Sequence, residues 1–227
     1  MRKNRVVCML MLGVSILAIV SCEDRNEGQT TGKAGRIGEV VDLGLSVQWA
    51  DCNVGADSPE DYGGYYAWGE SSEKNEYEWS NYKWCDGKET GMTKYCTVKK
   101  YGVVDGKNTL DATDDVAHVK WGDGWRMPTL DEFNELNSLC SWTWTSQNGV
   151  NGYRVTGPNG NSIFLPAAGY RYGEEYYNRG SLGYYWSGTL SENDNSNAYR
   201  FNFNSGYRGS YDYNRYDGFT VRPVRDK

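Results

Sequence analysis

The stretch Trp125-Arg126-Met127-Pro128-Thr129-Leu130-Asp131-Glu132-Phe133 decides how this chain of 227 residues is organised. Thr129 is a helix-capping residue type, Pro128 stands just before it, and Glu132 occupies the third helical position, where its carboxylate completes a capping box. The spacing predicts a helix over Leu130–Leu139, with Leu130, Phe133, Leu136 and Leu139 near one face and turned toward a core.

Working upstream, a weaker helical pattern covers residues 112–119, opened by Thr113, Asp114 and Asp115. Val40, Leu43, Leu45, Val47 and Trp49 form a largely alternating apolar set, read as one strand kinked at Gly44. Tyr65-Tyr66-Ala67-Trp68 reads as another short strand, and residues 70–107 carry no assignable pattern. Downstream, Tyr153-Arg154-Val155-Thr156 and Ser162-Ile163-Phe164-Leu165-Pro166 flank a Gly157-Pro158-Asn159-Gly160-Asn161 turn, a hairpin signal. Trp142 and Trp144 are expected on opposite sides of a strand, one in the core and the other free to act as a sugar platform. The last strands are expected over 184–187, 198–203 and 219–224. In the middle one Tyr199, Phe201 and Phe203 share a face while Arg200 and Asn202 look the other way. Few helices among many short strands and long loops make an α+β domain with loops displayed on one side.

Arg2, Lys3 and Arg5 precede an apolar run over residues 6–20 and then Ser21-Cys22, the order of a secretion signal over residues 1–21 and too short for a membrane span. Residues 22–39 are polar and without period, a flexible tether; the folded domain is expected over 40–227. Loss of Arg2, Lys3 and Arg5 with the signal takes the net charge from −6 to −9. Such an acidic surface repels phosphate backbones, so nucleic acid is excluded as a partner. Beyond the signal and Cys22 the chain has Cys52, Cys85, Cys96 and Cys140, an even number that in an exported protein reads as two disulfides. Four cysteines allow three pairings. Cys85 with Cys96 is favoured because they bracket one short loop, leaving Cys52 with Cys140. No pair has the close spacing of a four-Cys zinc site.

Between residues 170 and 217, 38 of 48 residues are Tyr, Asn, Gly, Ser, Arg or Asp. That is the palette of an antibody-like paratope: Tyr supplies a stiff amphipathic surface, and Ser, Gly and Asn supply adaptable hydrogen bonding. Disorder goes with few aromatics, and this segment has 11 tyrosines. Two loops result. Tyr172, Glu174, Tyr176, Tyr177, Asn178 and Arg179 form one side of a candidate ligand surface; Tyr207, Arg208, Tyr211, Asp212, Tyr213, Asn214, Tyr216 and Asp217 form the other.

The quoted stretch resembles the Arg-hydrophobic-Pro-Thr-x-x-Glu-aromatic motif of the formylglycine-generating-enzyme branch of the C-type lectin fold, the sulfatase-modifying-factor type. With it, Val41-Asp42-Leu43-Gly44-Leu45-Ser46-Val47-Gln48-Trp49-Ala50, Cys52-Asn53-Val54-Gly55, Leu165-Pro166-Ala167-Ala168-Gly169-Tyr170-Arg171, Tyr184-Tyr185-Trp186-Ser187 and Val221-Arg222-Pro223-Val224 resemble the Fibrobacter succinogenes major paralogous domain. That resemblance, over residues 40–224, implies a C-type-lectin-like domain on a Bacteroidetes surface lipoprotein. Leu17-Ala18-Ile19-Val20-Ser21-Cys22 resembles a lipobox, which implies acylation of Cys22 and a membrane partner; Glu23, Asp24 and Glu27 look like the signal for export to the outer face of the outer membrane. Residues 170–217 resemble the variable region of proteins diversified by retroelements. An Asn codon beginning with two adenines becomes Tyr, Ser, Asp, Gly or Arg by changes at those adenines, while Trp186, Phe201, Phe203, Phe219, Val221 and Pro223 stand as scaffold.

The formylglycine-generating relatives use a reactive cysteine pair late in the chain, and no Cys follows Cys140, so their oxidase activity is not expected. His118 is the only histidine, which excludes triads and metal sites built on several. Asp114-Asp115, Asp131-Glu132 and Glu174-Glu175 are carboxylate pairs that a hydrolase would need, but such pairs are ordinary on an acidic surface. No calcium loop of the Asp-x-Asp-x-Asp-Gly kind and no Glu-Pro-Asn sugar triplet is present. The expected function is therefore display of a diversified binding face for a protein or glycan by a monomer without cofactor, metal or catalysis. A fixed-specificity adhesin for polysaccharide or host surface is the alternative, and a carboxylate hydrolase a more distant one.

Overall fold

A computed structural model describes residues 35–227. The expected signal, Cys22 and the tether up to residue 34 lie outside the described residues. Residues 36–39 are already tied to the domain: Arg36 N–H donates to Ala56 O at 3.1 Å and Glu39 N–H to Asp51 Oδ1 at 2.7 Å. The folded part thus begins before Val40.

The capping residues do what their spacing predicts. Helix α2, Leu130–Leu139, is opened by Thr129 Oγ1, which accepts from Glu132 N–H at 3.2 Å, while Glu132 accepts from Thr129 N–H at 2.8 Å. The same carboxylate takes a bidentate pair from Arg126, 2.8 and 2.6 Å, and Arg126 also reaches Asp226. The motif is thus a helix start locked by an arginine fork. Thr129→Ala is expected to lower unfolding free energy by about 1 kcal/mol in urea titration; an unchanged midpoint would show the box to be idle. The weaker helical pattern resolves into a 3-10 turn, Ala112–Asp114, and helix α1, Val116–Trp121, capped by Asp115.

The expected single kinked strand is a small hairpin instead. Gly44 takes φ +77°, the chain reverses, and β1 (Val40–Val41) pairs antiparallel with β2 (Gln48–Ala50). Near the other end of the domain β11 (Val224–Arg225) joins β2 from its free side. The region 219–224 is otherwise threaded as isolated bridges, Tyr66 with Phe219, Tyr185 with Thr220 and Arg126 with Val224. A second sheet runs β3 (Ser141–Gln147), β4 (Val150–Thr156) and β5 (Ser162–Pro166), with the expected turn between the last two. A third runs β10 (Tyr207–Asn214), β9 (Asn197–Asn204), β8 (Gly183–Leu190), and β6 (Tyr170–Tyr172) forms a ribbon with β7 (Glu175–Tyr177). With two α-helices against eleven strands among the described residues, the class is α+β as expected, weighted toward β.

Aromatic rings fill the core where aliphatic residues are scarce. Phe133 of α2 stacks on Phe201 of β9, 5.3 Å apart and 4° from parallel, and meets Trp49 at 5.3 Å. Trp142 and Trp144 both pack on Tyr153 and Phe203. This corrects the expectation that they face opposite sides: residues two apart in a strand share a face. A second cluster centres on Trp186, whose ring lies 4.2 Å from Phe219, and a third on Tyr65, Tyr77, Tyr82 and Met92.

The two expected disulfides are absent. Cys52, Cys85, Cys96 and Cys140 are free thiols. Cys52 and Cys140 lie in different core clusters, and Cys85 and Cys96 turn their Sγ atoms to separate backbone carbonyls, Trp79 O at 3.2 Å and Val98 O at 3.3 Å. Burial pushes the thiols of Cys52 and Cys140 up to about 11, so both stay protonated.

Candidate ligand-binding face

The polar runs expected as two loops are largely strands, and that decides which of their residues can act together. In β10, antiparallel to β9, side chains alternate between faces. Tyr207, Tyr211 and Tyr213 are exposed on one face; the first two are joined by a hydroxyl–hydroxyl hydrogen bond. Gly209 between them leaves the space across which the Tyr207 ring lies, since a Cβ there would meet its hydroxyl at 2.3 Å. Arg208, Asp212 and Asn214 alternate with these tyrosines. Arg208 turns to α2, donating to Asn137 Oδ1 at 2.8 Å and lying over the Trp142 ring, and Asp212 accepts from Ser191 Oγ at 2.6 Å. These two leave the candidate face, and Asn214 is engaged with the Tyr216 hydroxyl at 3.4 Å.

The same period divides the ribbon. Tyr170 and Tyr177 are cross-strand partners with stacked rings 5.3 Å apart, and Tyr172 lies beside Tyr177 and Tyr216. Tyr176 pairs with Arg171 and is exposed on the opposite side, where Arg179 lies 3.4 Å over its ring and Tyr65 meets its edge. Arg179 also donates to the Tyr65 hydroxyl at 2.9 Å. Asn178 is a turn residue at φ +57°, whose carbonyl accepts from Ser181 and Leu182, and Glu174 is exposed at the ribbon tip.

Residues 215–217 are interior. Arg215, Tyr216 and Asp217 are buried, so Tyr216 and Asp217 lie beneath the exposed tyrosines and not among them. Arg215 is held by the Tyr82 hydroxyl and by the carbonyls of Lys94, Tyr95 and Asn195.

Tyr170 connects the ribbon to the sheet, its ring 5.0 Å from Tyr184 of β8. Tyr184 in turn lies under the Arg200 guanidinium at 4.5 Å, with Tyr213 at 4.9 Å on the neighbouring strand. The face is thus one continuous aromatic surface: Tyr172, Tyr177, Tyr170, Tyr184, Tyr213, Tyr211 and Tyr207, floored by Arg200. Tyr170, Tyr184, Arg200 and Asn202 are members that the candidate set lacks. The signal was present, because Arg200 and Asn202 stand opposite Phe201 and Phe203 in the alternation of β9 and must look toward whatever the tyrosines of β10 look toward.

Among the described residues no three or more His, Cys, Asp or Glu side chains converge as a metal group, and no helix is long and apolar enough to cross a membrane.

A mixed domain of short sheets carrying a tyrosine-rich strand face defines the class. The chain belongs to the Lcl C-terminal domain family, whose model matches residues 38–225. No curated protein and no solved structure matches it.

Proposed function

We propose that this protein is a binding module, without catalysis, that presents the tyrosine face of β6–β7 and β10 to a protein or glycan target. One observation carries the reading: exposed tyrosines from two separate elements converge on one surface, and the strands behind them are anchored in the core through Phe201, Phe203 and Trp186. Rigid aromatic anchors over a packed base are the arrangement that gives binding hot spots. Three of the six carboxylates named for a hydrolase are held within the fold. Glu132 is held by Arg126, Asp114 by Lys94 and Lys83, and Asp115 by three backbone N–H groups.

The C-type-lectin-like fold, the surface lipoprotein anchored through Cys22 in the outer membrane, and diversification of residues 170–217 complete the proposal. They rest on the sequence motifs. Burial adds a constraint: diversification is compatible with the fold at Tyr172, Tyr177, Tyr207, Tyr211 and Tyr213, and incompatible with it at Arg215. A near-copy template in the gene's neighbourhood that differs at adenines should therefore vary the tyrosine codons and spare that of Arg215.

The face itself is tested by screening the full chain on arrays of glycans and extracellular proteins and measuring variants against the target found. Tyr177→Ala and Tyr211→Ala should each weaken binding about fivefold or more, equivalent to roughly 1 kcal/mol. Tyr176→Ala, on the other side of the ribbon, should change it less than twofold. Equal affinity for all three variants and wild type removes the assignment.

A further inference from the structure

Eight buried side-chain polar atoms among the described residues have no protein partner, and five of them belong to three residues at the tyrosine face: Nε and Nη1 of Arg200, Oδ1 of Asn202, and both carboxylate oxygens of Asp217. Buried polar groups are nearly always paired, so their concentration at one place marks a built site. Arg200 is 8% exposed and Asp217 0%. The guanidinium acts on the carboxylate electrostatically, but no ion pair or hydrogen bond joins them. The set contains matched donors and acceptors: two nitrogens of Arg200 give hydrogen bonds, and oxygens of Asp217 and Asn202 take them.

Building on the binding reading above, we propose that Arg200 and Asp217 form the anchor subsite for hydroxyl groups of an uncharged saccharide stacked on the tyrosine face. A hydroxyl is the smallest neutral group that donates to a carboxylate and accepts from a guanidinium at once, and neighbouring hydroxyls on a sugar ring repeat that pattern. Hydrogen bonding selects the uncharged ligand: a sulfate has no proton to give to the unpaired oxygens of Asn202 and Asp217. The aromatic faces of Tyr184 and Tyr177 supply the apolar contact for the C–H side of the ring. Entry requires the ring of Tyr213 to turn aside. Of Tyr170, Tyr213 and Tyr216, whose ionisation a charge on Asp217 opposes, Tyr213 is the most exposed.

The test uses the purified full chain on an immobilised array of uncharged oligosaccharides built from hexoses, deoxyhexoses and N-acetylhexosamines, beside an array of peptides, followed by calorimetry on the best saccharide. Saturable saccharide binding is expected, at least tenfold weaker in Asp217→Asn and in Arg200→Lys, with thermal unfolding confirming that both variants are folded. Saccharide binding that both variants retain at wild-type affinity, but that Tyr177→Ala and Tyr211→Ala lose, overturns the anchor and leaves the face standing. Binding to peptides alone, sensitive to the tyrosines, does the same. Binding indifferent to the tyrosines as well overturns both.

Discussion

Asp217→Asn is expected to unfold at higher temperature and higher urea concentration than wild type at pH 8, and to match it at pH 4. Burial is the leading cause: it pushes the Asp217 carboxyl up to about 8, and the partial compensation from Arg200 does not restore it. The sign follows from proton counting. Between the unfolded value near 3.8 and the folded value near 8, the folded chain holds a proton that the unfolded chain has lost, so stability falls as pH rises through that window and levels off above it. At about 1.4 kcal/mol per pH unit, the accumulated loss by pH 8 is on the order of several kcal/mol. The amide of Asn has no charge to bury, so the variant escapes the loss. Urea titrations of both proteins at pH 4, 6 and 8 check this; a gap between the two curves that does not widen with pH removes the carboxylate as its source. A residue that weakens the fold yet sits beneath the proposed binding face is the pattern expected where function is favoured over stability.

Arg215→Ala should have the opposite effect, lowering unfolding free energy by about 4 kcal/mol. The guanidinium is fully buried and makes hydrogen bonds to the Tyr82 hydroxyl at 2.9 Å, Asn195 O at 3.0 Å, Tyr95 O at 3.1 Å and Lys94 O at 3.0 Å, with the Trp68 ring 4.9 Å away. Removing it strands several acceptors in the interior and opens a void between aromatic rings, and losses of this kind run to about 3–5 kcal/mol. Arg208→Ala is the control on the same strand run, where exposure limits the loss to under about 1 kcal/mol. Chemical unfolding of the two variants side by side decides the matter: a loss for Arg215→Ala no larger than for Arg208→Ala would mean the buried network contributes nothing net.

Local signals were legible in the sequence wherever the interaction that makes them is local. The capping box of Thr129 and Glu132 closes over three residues, and the turn between β4 and β5 closes over five, so both elements stand where they are expected. The alternation of Phe201 and Phe203 with Arg200 and Asn202 was legible for the same reason. The stretch 207–214 carries the same period, with tyrosines at 207, 211 and 213 and polar residues between, yet a strand with no aliphatic residue imitates a loop in composition. Its strand character comes from pairing with β9 along its whole length, a partner that composition does not announce. The reversal at Gly44 was hidden in the same way: a glycine at positive φ and a kinked strand look alike until the partner strand is known.

Three arginines show where the division falls. The sequence by itself determined the helix with its lock, the α+β class, the aromatic core and the existence of a tyrosine-rich surface, because each follows from spacing within a few residues. It gave the side of its strand that Arg200 takes but not what it meets there, and it placed Arg208 and Arg215 in one polar run with nothing in the spacing to say which is buried. Tertiary structure alone separated them, burying Arg215 among carbonyls of residues 94, 95 and 195, burying Arg200 beneath tyrosines with Nε and Nη1 free of hydrogen bonds, and turning Arg208 outward to Asn137. The physical reason is that a guanidinium's role is set by the acceptors it meets, and those acceptors are brought to it by chain segments distant in sequence.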